Sequence, residues 1–419
     1  MTTRRAIDIR SYAMVTVSYW GFTLTDGALR MLVLLHFHEL GYTPVHLAFL
    51  FLLYEFCGIL TNLFGGWIGS RLGLRVTLYG GLGLQVVALT MLSFVNEAWD
   101  AWMSVSYVMA AQALSGIAKD LTKMSSKSAV KLLVNDGGKE SGQSLLFKWV
   151  AILTGSKNVL KGLGFLCGGI LLSKLGFSLS LWTMAGALAI VLVCSVVFLR
   201  VEMGKSKEKV KFSQLFSKSR EINMLSSARF FLFGSRDVWF VVGLPVFLAS
   251  QLGWGFTGVG GFLAAWVIGY GLVQAAVPKL IRRSGGAVAG ARAAQRWGFT
   301  LAGLSAAIAI ALQFEFYPTV SVMVGLACFA VVFAVNSAVH SYLILAYTDS
   351  DKVALNVGFY YMANAAGRLT GTLLSGVMYL VAGLSGCLWV STCFVLVAAC
   401  LTLLLPGNNN SSIETPQAI

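Results

Sequence analysis

The stretch RVEMGKSKEKVKFSQLFSKSREIN, residues 200–223, decides how the rest of the chain is read. It is the longest polar segment in a 419-residue chain that is 57% hydrophobic and only 11% charged, with a mean hydropathy of +0.77. A soluble protein carries roughly 25% charged residues, so most of the apolar surface here must face lipid. Lys205, Lys207, Lys209 and Lys211 alternate through the segment, the pattern of a solvated linker beside anionic lipid headgroups.

Working outward, windows of about 20 apolar residues mark membrane helices. They fall at roughly 11–40, 45–70, 76–95, 102–121, 145–173 and 177–199 before the segment. After it they fall at roughly 225–250, 257–281, 296–313, 318–346, 353–381 and 384–405. The chain therefore reads as an N-terminal six-helix half (1–199), a cytoplasmic linker (200–224), a C-terminal six-helix half (225–406) and a polar tail (407–419) expected to be disordered. No cleavable signal peptide is expected: Arg4, Arg5 and Arg10 lead into a run that carries Asp26 and Arg30 and is too long and polar for an h-region.

Basic residues set the orientation. One set of loops holds Arg71 and Arg75, then Lys123, Lys127, Lys131 and Lys139, then the central segment, Lys279, Arg282, Arg283, Arg292 and Lys352. The opposite set holds Glu39, Glu97, Asp100 and Glu315, with Lys174 as its single lysine or arginine. The positive-inside rule then places both termini in the cytoplasm of a multi-pass protein of the cytoplasmic (inner) membrane. The net charge of +14 is explained as loop charge rather than as a nucleic-acid surface.

Six spans, a basic central loop and six more spans resemble the layout of the major facilitator superfamily. That resemblance implies an all-α integral membrane fold of 12 transmembrane helices in two six-helix halves around a midplane site. Gly66–Arg75 (GWIGSRLGLR) resembles the superfamily's loop-two signature, with Ser70 where that signature has an acid. Gly162, Gly164, Gly168 and Gly169 let the fifth span pack closely against a neighbour.

Five basic residues lie deep inside apolar runs: Arg30, Lys157, Lys161, Arg236 and Arg368. An uncompensated cation in hydrocarbon costs on the order of 3 kcal/mol or more, so such residues face a protein interior or a watery cavity. Residues three, four or seven apart share a helix face. On that basis Tyr19, Thr23, Asp26 and Arg30 form one stripe, and Lys119 and Lys123 another with Gln112. Further stripes are Lys157 with Lys161, Arg229 with Arg236, Asn336 with His340, and Tyr361 with Asn364 and Arg368. A guanidinium grips phosphate or carboxylate with a rigid fork, and a lysine acts as a compact positive point. The substrate-binding candidates are therefore Arg30, Lys157, Lys161, Arg236, Arg368, Lys119, Lys123, Tyr361, Asn364 and Asn336.

Three embedded acids, Asp26, Glu55 and Asp237, stand against the five cations, which leaves a net positive cavity. Glu55 has no basic residue within one turn and is the candidate proton carrier. Asp26 is expected to pair with Arg30 at i,i+4 and orient it. Seven cysteines, an odd number, lie in or beside apolar runs with no metal-ligand spacing, and four histidines are scattered. No metal, cofactor or catalytic constellation is expected, so an enzyme is the least favoured class.

Four stretches resemble one subfamily closely, the organoarsenical efflux permeases of arsenate-resistance operons. They are Tyr19–His38 (YWGFTLTDGALRMLVLLHFH), Gln112–Lys131 (QALSGIAKDLTKMSSKSAVK), Lys148–Gly164 (KWVAILTGSKNVLKGLG) and Asn356–Gly376 (NVGFYYMANAAGRLTGTLLSG). The resemblance implies efflux of the anion 1-arseno-3-phosphoglycerate. It also implies a functional partnership with glyceraldehyde-3-phosphate dehydrogenase, which makes that ester when arsenate replaces phosphate. A monomer in membrane lipid is expected. The competing readings are exchange of phosphorylated metabolites or other organic anions, and a non-transporting membrane receptor on the same fold.

Overall fold

The computed structural model describes residues 2–134, 141–199, 219–283, 290–348 and 353–406, with side chains described except in 2–12, 65–74, 124, 127–155, 278–283 and 353–355. The central linker up to residue 218, the polar tail from 407, and the side chains of Lys148 and of residues 66–74 in the loop-two signature fall outside these.

Ten helical elements follow one another: α1 (Thr2–Glu39), α2 (Pro44–Leu92), α3 (Ala101–Val134), α4 (Ser141–Phe198) and α5 (Arg220–Phe240), then α6 (Gly243–Ser250), α7 (Phe256–Arg283), α8 (Ala291–Gln313), α9 (Pro318–Ala346) and α10 (Val353–Leu403). Their ends carry the expected local chemistry. Thr43 caps α2 ahead of Pro44, and the Asp100 carboxylate accepts the backbone N–H groups of Trp102 and Met103 at 2.9 and 3.0 Å.

Three of the elements each hold two spans. α4 is 58 residues long, roughly 87 Å of helix against a hydrocarbon core of about 30 Å. It breaks at Gly176 (φ 71°), and α10 breaks at Ala382 and Gly383 (φ 63°), where only glycine takes the left-handed backbone without strain. In α2 the first stretch runs parallel to α3: His46 meets Trp102, a Cβ on Gly116 would touch Tyr54, and Asn62 meets Lys123. The second stretch runs antiparallel: Thr77 bonds Ser125, and Met91 accepts from Tyr107. The chain therefore reverses between them. α5 and α6 form one span, interrupted at Val241 and Val242, so twelve crossings result.

Glycines set how closely the helices approach. A Cβ on Gly164 would sit 2.5 Å from the Leu24 carbonyl, and one on Gly162 would sit 2.8 Å from the Ala264 carbonyl. The glycine tract thus presses α4 against α1 on one side and α7 on the other, joining the two halves of the chain. On α10, Gly367 leaves no room for a Cβ beside the Phe230 carbonyl, and Gly376 meets Pro44 of α2. These approaches set α1 on α4 and α10 on both α5 and α2, and α1, α2, α5 and α10 meet through charged side chains.

Candidate functional site

At that meeting point lies a continuous chain of opposite charges. Arg30 of α1 donates from Nη2 to Glu55 Oε1 of α2 at 2.9 Å. Arg368 of α10 donates from its own Nη2 to the same oxygen at 2.5 Å, and from Nε to Asp237 Oδ2 of α5 at 3.0 Å. Arg236 completes the chain, with Nε 2.7 Å from Asp237 Oδ1 and Nη2 on the same atom. Glu55 and Asp237 are fully buried. Alternating the signs is what makes such burial tolerable, since removing one partner of a buried pair costs about 3–5 kcal/mol.

Arg30, Arg236 and Arg368 line one cavity, joined there by Lys161 and Asn158 of α4. Its apolar wall includes Trp266 and Tyr270 of α7, whose rings stack with centroids 5.8 Å apart. Four cations against Glu55 and Asp237 leave the cluster with a formal charge of +2. The three arginines line the cavity together with Asp237, while Glu55 braces two of them from outside the lining, and the net positive charge suits a small, multiply charged anion.

The structure thus brings together four of the five deep cations named from the sequence. Lys157, one turn from Lys161, is exposed. Lys119 and Lys123 form a neighbouring group: Lys119 Nζ lies 4.0 Å from the Tyr54 ring centroid. Lys123 Nζ lies 3.2 Å from Asn62 Oδ1, 3.8 Å from Asp120 and 5.3 Å from the Tyr361 ring. Asn364 is half-buried with Oδ1 unpartnered among the described residues. Asn336 is buried on α9 toward Gly298 of α8 and does not line the cavity, because its face of the helix is turned to a packing interface.

One expected pairing and one expected isolation are corrected. Asp26 does not hold Arg30; it accepts the Tyr54 hydroxyl at 2.6 Å, and Arg30 reaches Glu55 instead. Glu55 has no solvent contact and so takes the guanidinium groups, whereas half-buried Asp26 is satisfied by a phenol. Glu55 is therefore not remote from cations, as its own helix suggested, since two reach it from α1 and α10. A fourth embedded acid was missed. Asp120 is buried and accepts from Thr61, and its place in the Lys119–Lys123 stretch of the fourth span was the available signal. Asn158, three residues before Lys161, and Trp266 with Tyr270, four apart on α7, were also legible as stripes but not singled out.

Twelve spans in two halves around a charged mid-membrane cavity define a multi-pass membrane transporter. The sequence profile of the Major Facilitator Superfamily matches residues 12–336, and the chain belongs to that superfamily. A crystal structure of the nucleoside transporter NupG, in mutant form, is similar with TM-score 0.68 at 14% identity, over 95% of this chain and 98% of that one. A crystal structure of a bacterial homologue of the iron transporter ferroportin, in its inward-facing state, gives 0.65 at 16% identity, over 94% and 98%. These likenesses carry the fold and no substrate. No curated protein gives a significant sequence match.

Proposed function

We propose that the protein exports a small, multiply anionic ester by alternating access, and that its cargo is 1-arseno-3-phosphoglycerate, the compound implied by the sequence resemblance. The observation that carries this is the grouping of Arg30, Arg236, Arg368 and Lys161 around one cavity with net positive charge. Guanidinium forks suit a tetrahedral oxyanion. Arg30 comes from the first half of the chain and Arg236 and Arg368 from the second, so a bound anion is gripped by both. Lys119 and Lys123, with Tyr361 and Asn364, are placed to receive the second charged end.

On this reading the protein works in the cytoplasmic membrane with both termini inside, and glyceraldehyde-3-phosphate dehydrogenase supplies the ester. A cell interior that is negative favours export, at about 2.3 kcal/mol per charge per 100 mV, so the membrane potential suffices as a driving force. Everted vesicles containing the protein should load labelled ester only when the dehydrogenase, its triose substrate and arsenate are all present. Loading of ordinary phosphorylated metabolites in exchange for phosphate, at a rate equal to the ester, sinks the assignment in favour of an organophosphate exchanger. Cellular resistance to arsenite equal to that for arsenate sinks it as well.

A further inference from the structure

We propose that Glu55 is a positioning residue: through one carboxylate oxygen it sets the spacing of two guanidinium groups from opposite halves of the chain, so that together they receive a single tetrahedral oxyanion. The proposal builds on the anion-export reading above and assigns the ligand class, a phosphoryl or arsenyl group, to the Arg30–Arg368 pair.

The geometry is unusual for a buried carboxylate. Oε1 takes one N–H from Arg30 at 2.9 Å and one from Arg368 at 2.5 Å, while Oε2 is buried with no partner among the described residues. A carboxylate placed only to neutralise charge gains more by giving one oxygen to each guanidinium. Sharing one oxygen instead draws the two Nη2 atoms together. The bonds of 2.9 and 2.5 Å limit their separation to at most 5.4 Å, a gap that one phosphoryl group bridges. Glu55 itself does not line the cavity, whereas both arginines do. It acts through them and does not touch the substrate.

The rest of the fold holds this oxygen in place. Phe51 and Tyr54, on the same helix as Glu55, flank Arg30 with ring centroids 5.3 and 4.9 Å from Cζ. Arg368 is braced on its other side by Asp237. Its remaining freedom is the distance to Arg30, which Glu55 fixes. Because Glu55 and Arg368 belong to opposite halves, the paired site exists only while the halves sit as they do here, which ties oxyanion affinity to one conformation of the transport cycle.

The test separates placement from charge. Purified full-length protein in detergent is titrated by calorimetry with inorganic phosphate and with 3-phosphoglycerate. Glu55→Gln keeps an acceptor oxygen at the same reach and should bind both at least as tightly as the wild type. Glu55→Asp keeps the charge but withdraws it by one methylene, and should weaken binding about tenfold. In an Arg368→Gln background, where one arm is already lost, the loss from Glu55→Asp should shrink to about threefold or less. Equal loss in the Gln and Asp variants, unchanged binding in Glu55→Asp, or an undiminished loss in the Arg368→Gln background each overturns the proposal. If Glu55→Gln fails to fold, Glu55→Asp in the two backgrounds decides alone, and if Glu55→Asp fails to fold, a tenfold or larger loss in Glu55→Gln overturns the proposal. A wild type that binds neither anion overturns the export reading together with this proposal. One that binds both but moves no ester overturns the export reading alone.

Discussion

Arg236 and Arg229 lie seven residues apart on α5, on one face, about 10 Å along the axis from each other. They share Phe233 as a neighbour but differ in their polar partners. Arg236 is held by Asp237 and opens on the cavity. Arg229 is 3% exposed, and its Nη1 donates to the Ser337 carbonyl at 3.0 Å and the Ser337 hydroxyl at 3.1 Å. Its guanidinium covers the rings of Phe233 at 3.9 Å and Tyr360 at 4.9 Å, and no carboxylate contacts it among the described residues. Phe233 stands between the two, with Arg236 Cζ 5.1 Å from its ring centroid. Depth in the membrane and residue type are therefore poor guides to the role of a cation. Both guanidinium groups lie against aromatic faces, and what separates them is the polar partner: Arg236 pairs with a carboxylate at the cavity wall, whereas Arg229 is enclosed with neutral oxygens and becomes part of the packing.

The largest expected effect tests the charged side of that contrast. Arg368 is the central link between Glu55 and Asp237, so Arg368→Ala removes a ligand arm and strips two buried acids of one partner each. Ester flux in everted vesicles should fall about a hundredfold or more while the protein still reaches the membrane. Arg368→Lys should recover little of it, because an ammonium has no fork to span Glu55 and Asp237. Flux close to wild type in either variant removes Arg368 from the site.

Arg229 tests the enclosed side. Arg229→Met keeps most of the side chain's bulk between Phe233 and Tyr360 but drops the bonds to Ser337. Thermal unfolding in detergent should show a loss of about 1–3 kcal/mol, with phosphate affinity unchanged within about twofold. A binding loss comparable to that of Arg368→Ala erases the distinction and makes Arg229 a second ligand arm.

How far this arrangement was legible in the sequence follows from which forces act along one helix. The spans came from hydropathy, and the Arg30, Lys161, Arg236 and Arg368 set came from depth, because a cation in hydrocarbon tends to turn inward, although Lys157, chosen on the same ground, is exposed and does not line the cavity. The breaks at Gly176 and Gly383 fell where two spans met. Partner choice was a different matter. Asp26 and Arg30 are correctly spaced to pair within α1, yet the competing acid is on α2 and the competing phenol is its neighbour Tyr54. Such choices depend on how α1, α2 and α10 approach each other, which glycine contacts between distant segments decide. Asn336 lies away from this cavity for the same reason, since its face of α9 meets α8.

Tyr54 combines both kinds of environment in one side chain. Its ring covers Arg30 at 4.9 Å and Lys119 at 4.0 Å, as Phe233 and Tyr360 cover Arg229, and its hydroxyl satisfies Asp26 at 2.6 Å. Tyr54→Phe keeps the ring and removes only the hydroxyl, so it asks whether Asp26 contributes to anion binding or merely to the fold. Asp26 is half-buried and can replace the lost bond with water, which keeps the cost small. The expected result is a stability loss of about 0.5–1.5 kcal/mol in thermal unfolding and a change in phosphate affinity of less than about threefold. Arg30 should stay in place, because Glu55 and the retained ring hold it. A tenfold or larger loss of affinity has a specific meaning. Asp26 would then be acting on Arg30 or Lys119 through the Tyr54 hydroxyl, and the charged region would extend from the arginine cavity into the Lys119–Asp120–Lys123 group.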